Sequence, residues 1–176
     1  MPLNLLKEYP QLLELAHFNE KDRTDSLMRI FRRDIEDNAD FAFRKKQIRP
    51  VKKKDGQTPM QVLFHHLTTR CDKDEKGNDT KARSFEMARS QRLHWIRHHT
   101  QESVPIGVEI FSFEDRIDRK DVIRTYIYDT AQEYVIILEP YRNGLDYYLI
   151  TAYHLNEPGG KKQILKKKQR KLPEVH

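Results

Sequence analysis

Apolar residues recur at one spacing in the first half of this chain and at another in the second. Leu3, Leu5, Leu6, Tyr9, Leu12, Leu13, Ala16 and Phe18 are spaced like one helical face, interrupted or reset at Pro10. A second helix is expected from near Thr24, turning Leu27, Met28, Ile30, Phe31 and Ile35 inward. The stretch Thr58-Pro59-Met60-Gln61 reads as a helix start. Thr58 caps, Pro59 takes the first helical position and Gln61 completes a capping box, which predicts a short helix through Leu67. Residues Asp72 to Lys81 predict an exposed loop. A longer helix is expected from Ala82 to His99, with Phe85, Ala88, Trp95 and Ile96 on one face. Arg92 and His99 project into that apolar stripe, while His94 and His98 point to the opposite, solvent side.

From Val104 onward the period shortens to two. Gly107 to Phe113, Asp121 to Asp129, Glu133 to Glu139 and Asp146 to Leu155 are rich in β-branched and aromatic residues, with short links of which Asn143-Gly144 is the clearest turn. Four successive strands predict an antiparallel meander, and the preceding helix packed on it gives an α+β fold. Alternation puts Arg124, Tyr126 and Tyr128 on one face of the second strand. In the last strand Thr151 and Tyr153 share one side and His154 takes the other.

Composition adds to this picture mainly through the placement of charge. The chain has 176 residues and a formal net charge of +6. The segments Arg44 to Lys54 and Lys161 to Lys171 hold 14 of the 33 Lys and Arg. The remaining 19 face 27 Asp and Glu, so the rest of the chain is net −8. Cations clustered in this way suit a polyanion, because binding it releases counterions. One cysteine, Cys71, excludes an internal disulfide framework. No apolar stretch approaches the roughly 20 residues that cross a bilayer, and the start lacks the features of a signal peptide, so a cytoplasmic protein without a membrane partner is expected.

Two motif-like patterns are rejected on their chemistry. Asp72, Asp74 and Gly77 resemble the start of a calcium loop, but Lys76 stands at a ligand position and Arg83 replaces the closing glutamate. His94 and His98 have the spacing of zinc ligands without the intervening glutamate or a third ligand. No metal and no cofactor are therefore expected.

The order of a helix carrying Arg-Leu-His-Trp-Ile (residues 92–96), the strands Arg-Thr-Tyr-Ile-Tyr (124–128) and Tyr-Val-Ile-Ile-Leu-Glu (134–139), and a last strand Tyr-Tyr-Leu-Ile-Thr-Ala-Tyr-His-Leu (147–155) followed by lysines resembles a known family. It is similar to the phage-associated nucleases of the barnase, EndoU, colicin and RelE (BECR) fold, small α+β ribonuclease-type toxins. The resemblance covers roughly residues 58–172. It divides the chain into a helical N-terminal extension, residues 1–55, and a nuclease domain with a basic tail, residues 56–176.

The resemblance implies metal-independent RNA cleavage, in which a ribose 2′-OH attacks the adjacent phosphate. Such chemistry needs a base, an acid and cations around the phosphate. Arg92 and Arg124 are candidates to hold the phosphate and Thr151 to donate to a phosphoryl oxygen. Tyr153 or His154 would move a proton or stack a base, and Glu139 or a histidine would be the base. Lys161, Lys162, Lys166, Lys167 and Lys168 would hold the RNA backbone, with Trp95 and Tyr126 as aromatic RNA contacts. A toxin of this kind implies an acidic immunity or antitoxin partner. The rival is a nucleic-acid-binding module of phage or mobile-element origin without catalysis. A protein-binding domain with solubilising lysines is the third class.

Overall fold

The computed structural model describes residues 2–51 and 56–176. A 3-10 turn, Pro2–Leu6, precedes helix α1 (Glu20–Phe31), which runs on into a π turn, Arg32–Glu36. Strands β1 (Ala42–Phe43) and β2 (Lys46–Pro50), helix α2 (Pro59–Thr68) and strands β3 (Thr69–Lys73) and β4 (Asp79–Phe85) follow. Two short helices, α3 (Met87–Ser90) and α4 (Trp95–Thr100), lead into β5 (Val108–Ile117), β6 (Lys120–Asp129), β7 (Tyr134–Pro140) and β8 (Asp146–His154), and helix α5 (Gly160–Gln169) comes last. No helix among the described residues is long and apolar enough to cross a membrane.

The α+β class agrees with expectation, but the sheet is not the expected four-stranded meander with helices before it. Its six strands run β1-β2-β8-β7-β6-β5, and β2 lies parallel to β8 with Ile48 opposite Tyr147. β2 escapes sequence reading because it lies inside a basic run, where Ile48 alone turns fully inward. Residues 2–50 also supply Leu13, Leu15, Leu27, Ile30, Phe31, Phe41 and Phe43 to the same core as α2, β7 and β8. They belong to that core and do not form an extension to it.

Strand register gives the sheet two buried faces. Ile127, Tyr134, Ile136, Leu138, Leu149 and Ala152 pack under α1, α2 and α4. Phe111, Tyr126, Tyr128, Val135 and Ile137 pack under Leu155 and Ile164 of α5. Past α5 the chain crosses the free edge of β5, where Leu172 N–H donates to Ser112 O at 2.8 Å, and His176 N–H then donates to Ser112 Oγ at 2.9 Å. An open sheet edge is thereby partly closed.

Local chemistry accounts for the elements that matter to the site. Asn19 caps α1 by accepting from Asp22 N–H at 2.9 Å, and Leu27, Ile30 and Phe31 follow at the spacing of one buried face. The predicted box opens α2. Thr58 Oγ1 accepts from Gln61 N–H at 3.2 Å, and Gln61 Oε1 accepts from Thr58 N–H at 2.8 Å. The π turn buries Asp34 between Arg33 (2.6 Å) and Arg97 (3.3 Å). That buried carboxylate is thus charge-compensated.

Three expected elements differ. The helix from Leu3 to Phe18 is a 3-10 turn followed by extended chain, with Leu13 N–H bonded to Gln91 O at 3.0 Å. Leu13 and Leu15 turn inward and Glu14 outward, a strand-like alternation that the helical template absorbed. The expected loop from Asp72 to Lys81 belongs to the hairpin β3–β4, which forms a sheet of its own. Half of its strand positions are charged and only Ala82 and Phe85 of β4 and Cys71 of β3 are apolar, so no apolar period announces them. The helix from Ala82 to His99 is interrupted: β4 takes its start, and tight turns join α3 to α4, with Leu93 N–H bonded to Ser90 O (3.2 Å) and Trp95 N–H to Arg92 O (2.9 Å). Winding three residues per turn advances each side chain by about 120° instead of 100°. The phase therefore slips, and His94, expected at the surface, is fully buried.

Candidate functional site

Two clefts open along β8. The first, about 200 Å³, lies between α2 and the strands β6–β8. Val62 and Leu63 of α2 and Leu149 and Ile150 of β8 form apolar walls, and the polar side chains are His66, Arg124 and Glu139. The β7–β8 register shifts between Ile137 and Leu138, which leaves Ile150 without a cross-strand partner. Such a bulge re-aims side chains and is what turns Ile150 to the cleft. Arg124 and Glu139 come from neighbouring strands, and Arg124 Nε lies 3.6 Å from Glu139 Oε2. That contact is ionic and longer than a hydrogen bond, and the buried Arg124 Nε has no hydrogen-bond partner. The pair therefore retains donor capacity on the guanidinium and acceptor capacity on the carboxylate. His66 follows Leu63 by three positions on α2, so the helix that buries Leu63 also presents His66 to the cleft.

The second cleft, about 70 Å³, lies at the C-terminal end of β8 and is lined by Arg70, Glu86, Arg89, Tyr153, His154 and Glu157, among others. Arg89 Nη1 donates to His66 O at 2.8 Å and to Thr69 O at 2.9 Å. Its guanidinium lies 5.7 Å from the centre of the Tyr153 ring. His154 Nδ1 sits 3.1 Å from Glu133 O. Burial, with Arg92 adding its charge, pushes the His154 imidazole below its ordinary value. Burial also lowers both Arg89 and Arg92 and raises the Tyr153 phenol. Arg92 donates to Ala88 O at 2.7 Å and lies over the Trp95 ring.

The six catalytic candidates thus do not converge on one centre. Arg124 and Glu139 meet in the first cleft. Tyr153 and His154 line the second, with Arg92 close enough to act on His154. Thr151, opposite Ile137, stands between the two clefts along β8. His66 was missed because its helix was read for capping and core alone. A histidine following a buried position by three on a capped helix was the available signal.

The RNA-binding candidates separate by burial. Trp95 is 1% exposed, donates from Nε1 to Gln11 O at 3.0 Å and meets Tyr9 and Tyr134 edge-on. Tyr126 is 0% exposed and stacked on Phe111. Neither ring has a face open to a base, so stacking on RNA is excluded for both by packing. Among the lysines, Lys161 pairs with Glu133 at 2.7 Å, Lys168 pairs with Glu109, and Lys167 pairs with Asp115 and reaches Tyr126 Oη at 3.1 Å. Lys167 ties α5 to β5 and β6, Lys161 and Lys168 make surface pairs, and Lys162 and Lys166 are exposed. Part of the lysine block is therefore structural. In the other basic run, Lys52, Lys53 and Lys54 lie outside the described residues.

Two buried polar groups belong to the core. His99 Nε2 lies 2.8 Å from Asp129 Oδ2, which also accepts from Tyr9 Oη at 2.7 Å. His94 has no hydrogen bond to either ring nitrogen. Burial, then the charge of His98, pushes it down to about 4. Among the described residues no group of three or more His, Cys, Asp or Glu is placed to hold a metal ion. Compared with protein-family profiles, with curated proteins and with solved structures, the chain matches none.

Proposed function

We propose that the protein is an endoribonuclease whose reaction centre is the cleft between α2 and β6–β8. The observation that carries this reading is the convergence there of a carboxylate, a guanidinium and an imidazole, Glu139, Arg124 and His66, within apolar walls. Glu139 takes the proton of a ribose 2′-OH, whose oxygen attacks the adjacent phosphorus. Arg124 bonds the non-bridging oxygens as negative charge gathers on them. His66, protonated, delivers a proton to the departing 5′-oxygen as the P–O5′ bond breaks. The products are a 2′,3′-cyclic phosphate and a 5′-hydroxyl end, and no metal is needed to write this reaction. Leu149 and Ile150 exclude water from one side of the reacting group, which strengthens every charge interaction in the cleft. The exposed Lys162 and Lys166 are left for the backbone of the polyanion.

The second reading is a nucleic-acid-binding module without turnover. It is favoured by the partly buried Arg124–Glu139 contact, which also serves to hold β6 to β7. Incubation of the purified protein with total RNA in EDTA, followed by analysis of the product ends, separates the two. Cyclic-phosphate ends that vanish in Glu139→Gln support the nuclease. RNA retained but intact across pH and substrates overturns it and leaves the binding module.

A further inference from the structure

The second cleft is lined by two arginines, Arg70 and Arg89, and two glutamates, Glu86 and Glu157, and both glutamates pair with Arg70. Arg89, which lines the cleft, and Arg92, outside its lining, both act on the buried Tyr134 hydroxyl. Among the described residues neither has a carboxylate within ion-pair distance, and the Nε of each is buried without a hydrogen-bond partner. Backbone carbonyls of His66, Thr69 and Ala88 take the remaining bonds. Carbonyl dipoles solvate a guanidinium, but they do not cancel its charge. Glu86 acts on Arg89 across the cleft but is engaged by Arg70, so Arg89 is a desolvated cation without an ion pair of its own, which is costly to hold. Arg83, whose charge bears on Arg89, adds a third cation nearby.

Arg70 completes the mouth of the cleft and has a different situation. Its Nε lies 3.2 Å from Glu86 Oε2, and its Nη1 pairs with Glu157. Glu157 belongs to the turn between β8 and α5, and both members of the Arg70–Glu157 pair are about half exposed (47% and 53%). An exposed ion pair contributes little to stability and exchanges readily for another anion. Glu157 is thus an acidic side chain carried to Arg70 at the mouth of the cleft by a turn and held there by one exposed contact.

We propose that the cleft at the end of β8 is a phosphate-binding site, in which Arg70 and Arg89 hold the ligand and the Glu157 carboxylate occupies its place until it arrives. Arg70 supplies a guanidinium fork at the entrance, suited to two oxygens of a phosphate. Arg89 supplies charge from below, with the Tyr153 hydroxyl and the His154 ring as further polar neighbours. The phosphate belongs either to a polynucleotide backbone or to a small free compound. The first source is favoured by adjacency, since Arg89 is bonded to the carbonyl of His66, whose side chain lines the first cleft. The site stands on its own geometry, whatever chemistry the first cleft performs.

The test titrates inorganic phosphate into the full chain at constant ionic strength, with chloride as control, and follows the His154 ring signals by NMR. Saturable binding that shifts His154 is expected. Glu157→Gln should tighten it, by up to about tenfold, and Arg70→Ala should weaken it by about tenfold, the scale of a charge-assisted contact. Arg89→Lys keeps the charge while losing the fork and should weaken it less than Arg89→Met. Because Arg89 also ties β3 to α2, the exposed Arg70 and Glu157 variants carry the test if Arg89→Met does not fold. No saturable shift, or affinity unchanged in both exposed variants, overturns the site. A short single-stranded RNA in the Glu139→Gln background then identifies the source. Displacement of phosphate by the RNA assigns the site to a polynucleotide backbone. Persistence of phosphate while RNA is bound overturns that assignment in favour of a small phosphate compound. Cleavage plays no part in these readouts, so loss of the nuclease reading would leave them intact.

Discussion

The hydroxyl of Tyr9 and the ring of His99 share one acceptor, Asp129 Oδ2, at 2.7 and 2.8 Å. One carboxylate thereby ties the N-terminal extended segment and α4 to the end of β6. Gln132 N–H donates to its other oxygen at 2.9 Å. Burial acts to raise the Asp129 carboxyl, but the bonds from His99, Gln132 and Tyr9 outweigh it and hold the group below the ordinary value. Tyr9→Phe should cost about 1 kcal/mol, since two partners remain. Asp129→Ala should cost about 3 kcal/mol, because it strands His99 in the core. Urea unfolding at pH 7 measures both. With a folded value below the unfolded one, this carboxylate stabilises above about pH 4, and the contribution is lost as pH falls through the folded value.

His94 also destabilises the fold as pH falls, over a higher range. In the unfolded chain it gains a proton near 6.5, whereas in the fold it does so only near about 4. Between those values the unfolded state binds more protons, so stability falls as pH drops. The full loss, of order 3 kcal/mol, is in place below the lower value. His94→Leu should change stability by less than about 1.5 kcal/mol at pH 7 and flatten the pH dependence between 6.5 and 4. Thermal unfolding across that range is the measurement, and an unchanged slope would refute the assignment.

Activity should depend on the first cleft in a defined order. Glu139→Gln and His66→Ala are each expected to lower the cleavage rate by about 10² to 10⁴. Arg124→Ala should lower it by about 10² or more, while oligonucleotide affinity falls less. Single-turnover cleavage of a labelled RNA, with binding followed in parallel, reads these effects.

The lysines of α5 should divide into two classes. Lys167→Ala removes bonds to Asp115 and Tyr126 and should cost about 1–2 kcal/mol of stability. Lys166→Ala and Lys162→Ala should change stability by less than about 0.5 kcal/mol. Each should reduce the salt dependence of RNA binding, by about one unit of log–log slope for each phosphate left without its lysine. Equal destabilisation by all three would contradict the division.

The cap of α2 supplies a control. Thr58→Ala should cost about 1 kcal/mol and lower the melting temperature by about 2–4 °C. Below that temperature the cleft, and with it turnover, should be unaffected.

These residues also mark what was legible in the sequence. The capping box of α2 and the individual strands β5–β8 could be read because each rests on short-range chemistry, a side chain bonding three residues away or an alternation of period two. Arg124 and Glu139 were found because charge on an otherwise apolar strand end stands out. The union of those two with His66 could not be read, since it depends on how α2 sits against the bulge at Ile150. Two tight hairpin turns were hidden for a local reason. Arg44-Lys45 and Asp118-Arg119 both take positive φ (47° and 68°, 47° and 64°), a conformation that sequence reading assigns to glycine and asparagine. Trp95 and Tyr126 were misjudged because an aromatic residue beside an arginine looks the same whether it stacks on a base or on the core.

The parallel pairing of β2 with β8 sets a condition on how the chain is made. Ile48 cannot find Tyr147 until β8 has been synthesised. A nascent chain that has exposed Phe41, Phe43 and Ile48 must carry them unpaired while the intervening hairpins emerge. Closing so long a loop is slow, and apolar side chains awaiting a distant strand are prone to aggregate. Folding of the whole chain is therefore gated by its last strand. A fragment ending before β8 should remain chaperone-bound or insoluble, even though α1 and α2 are locally well specified.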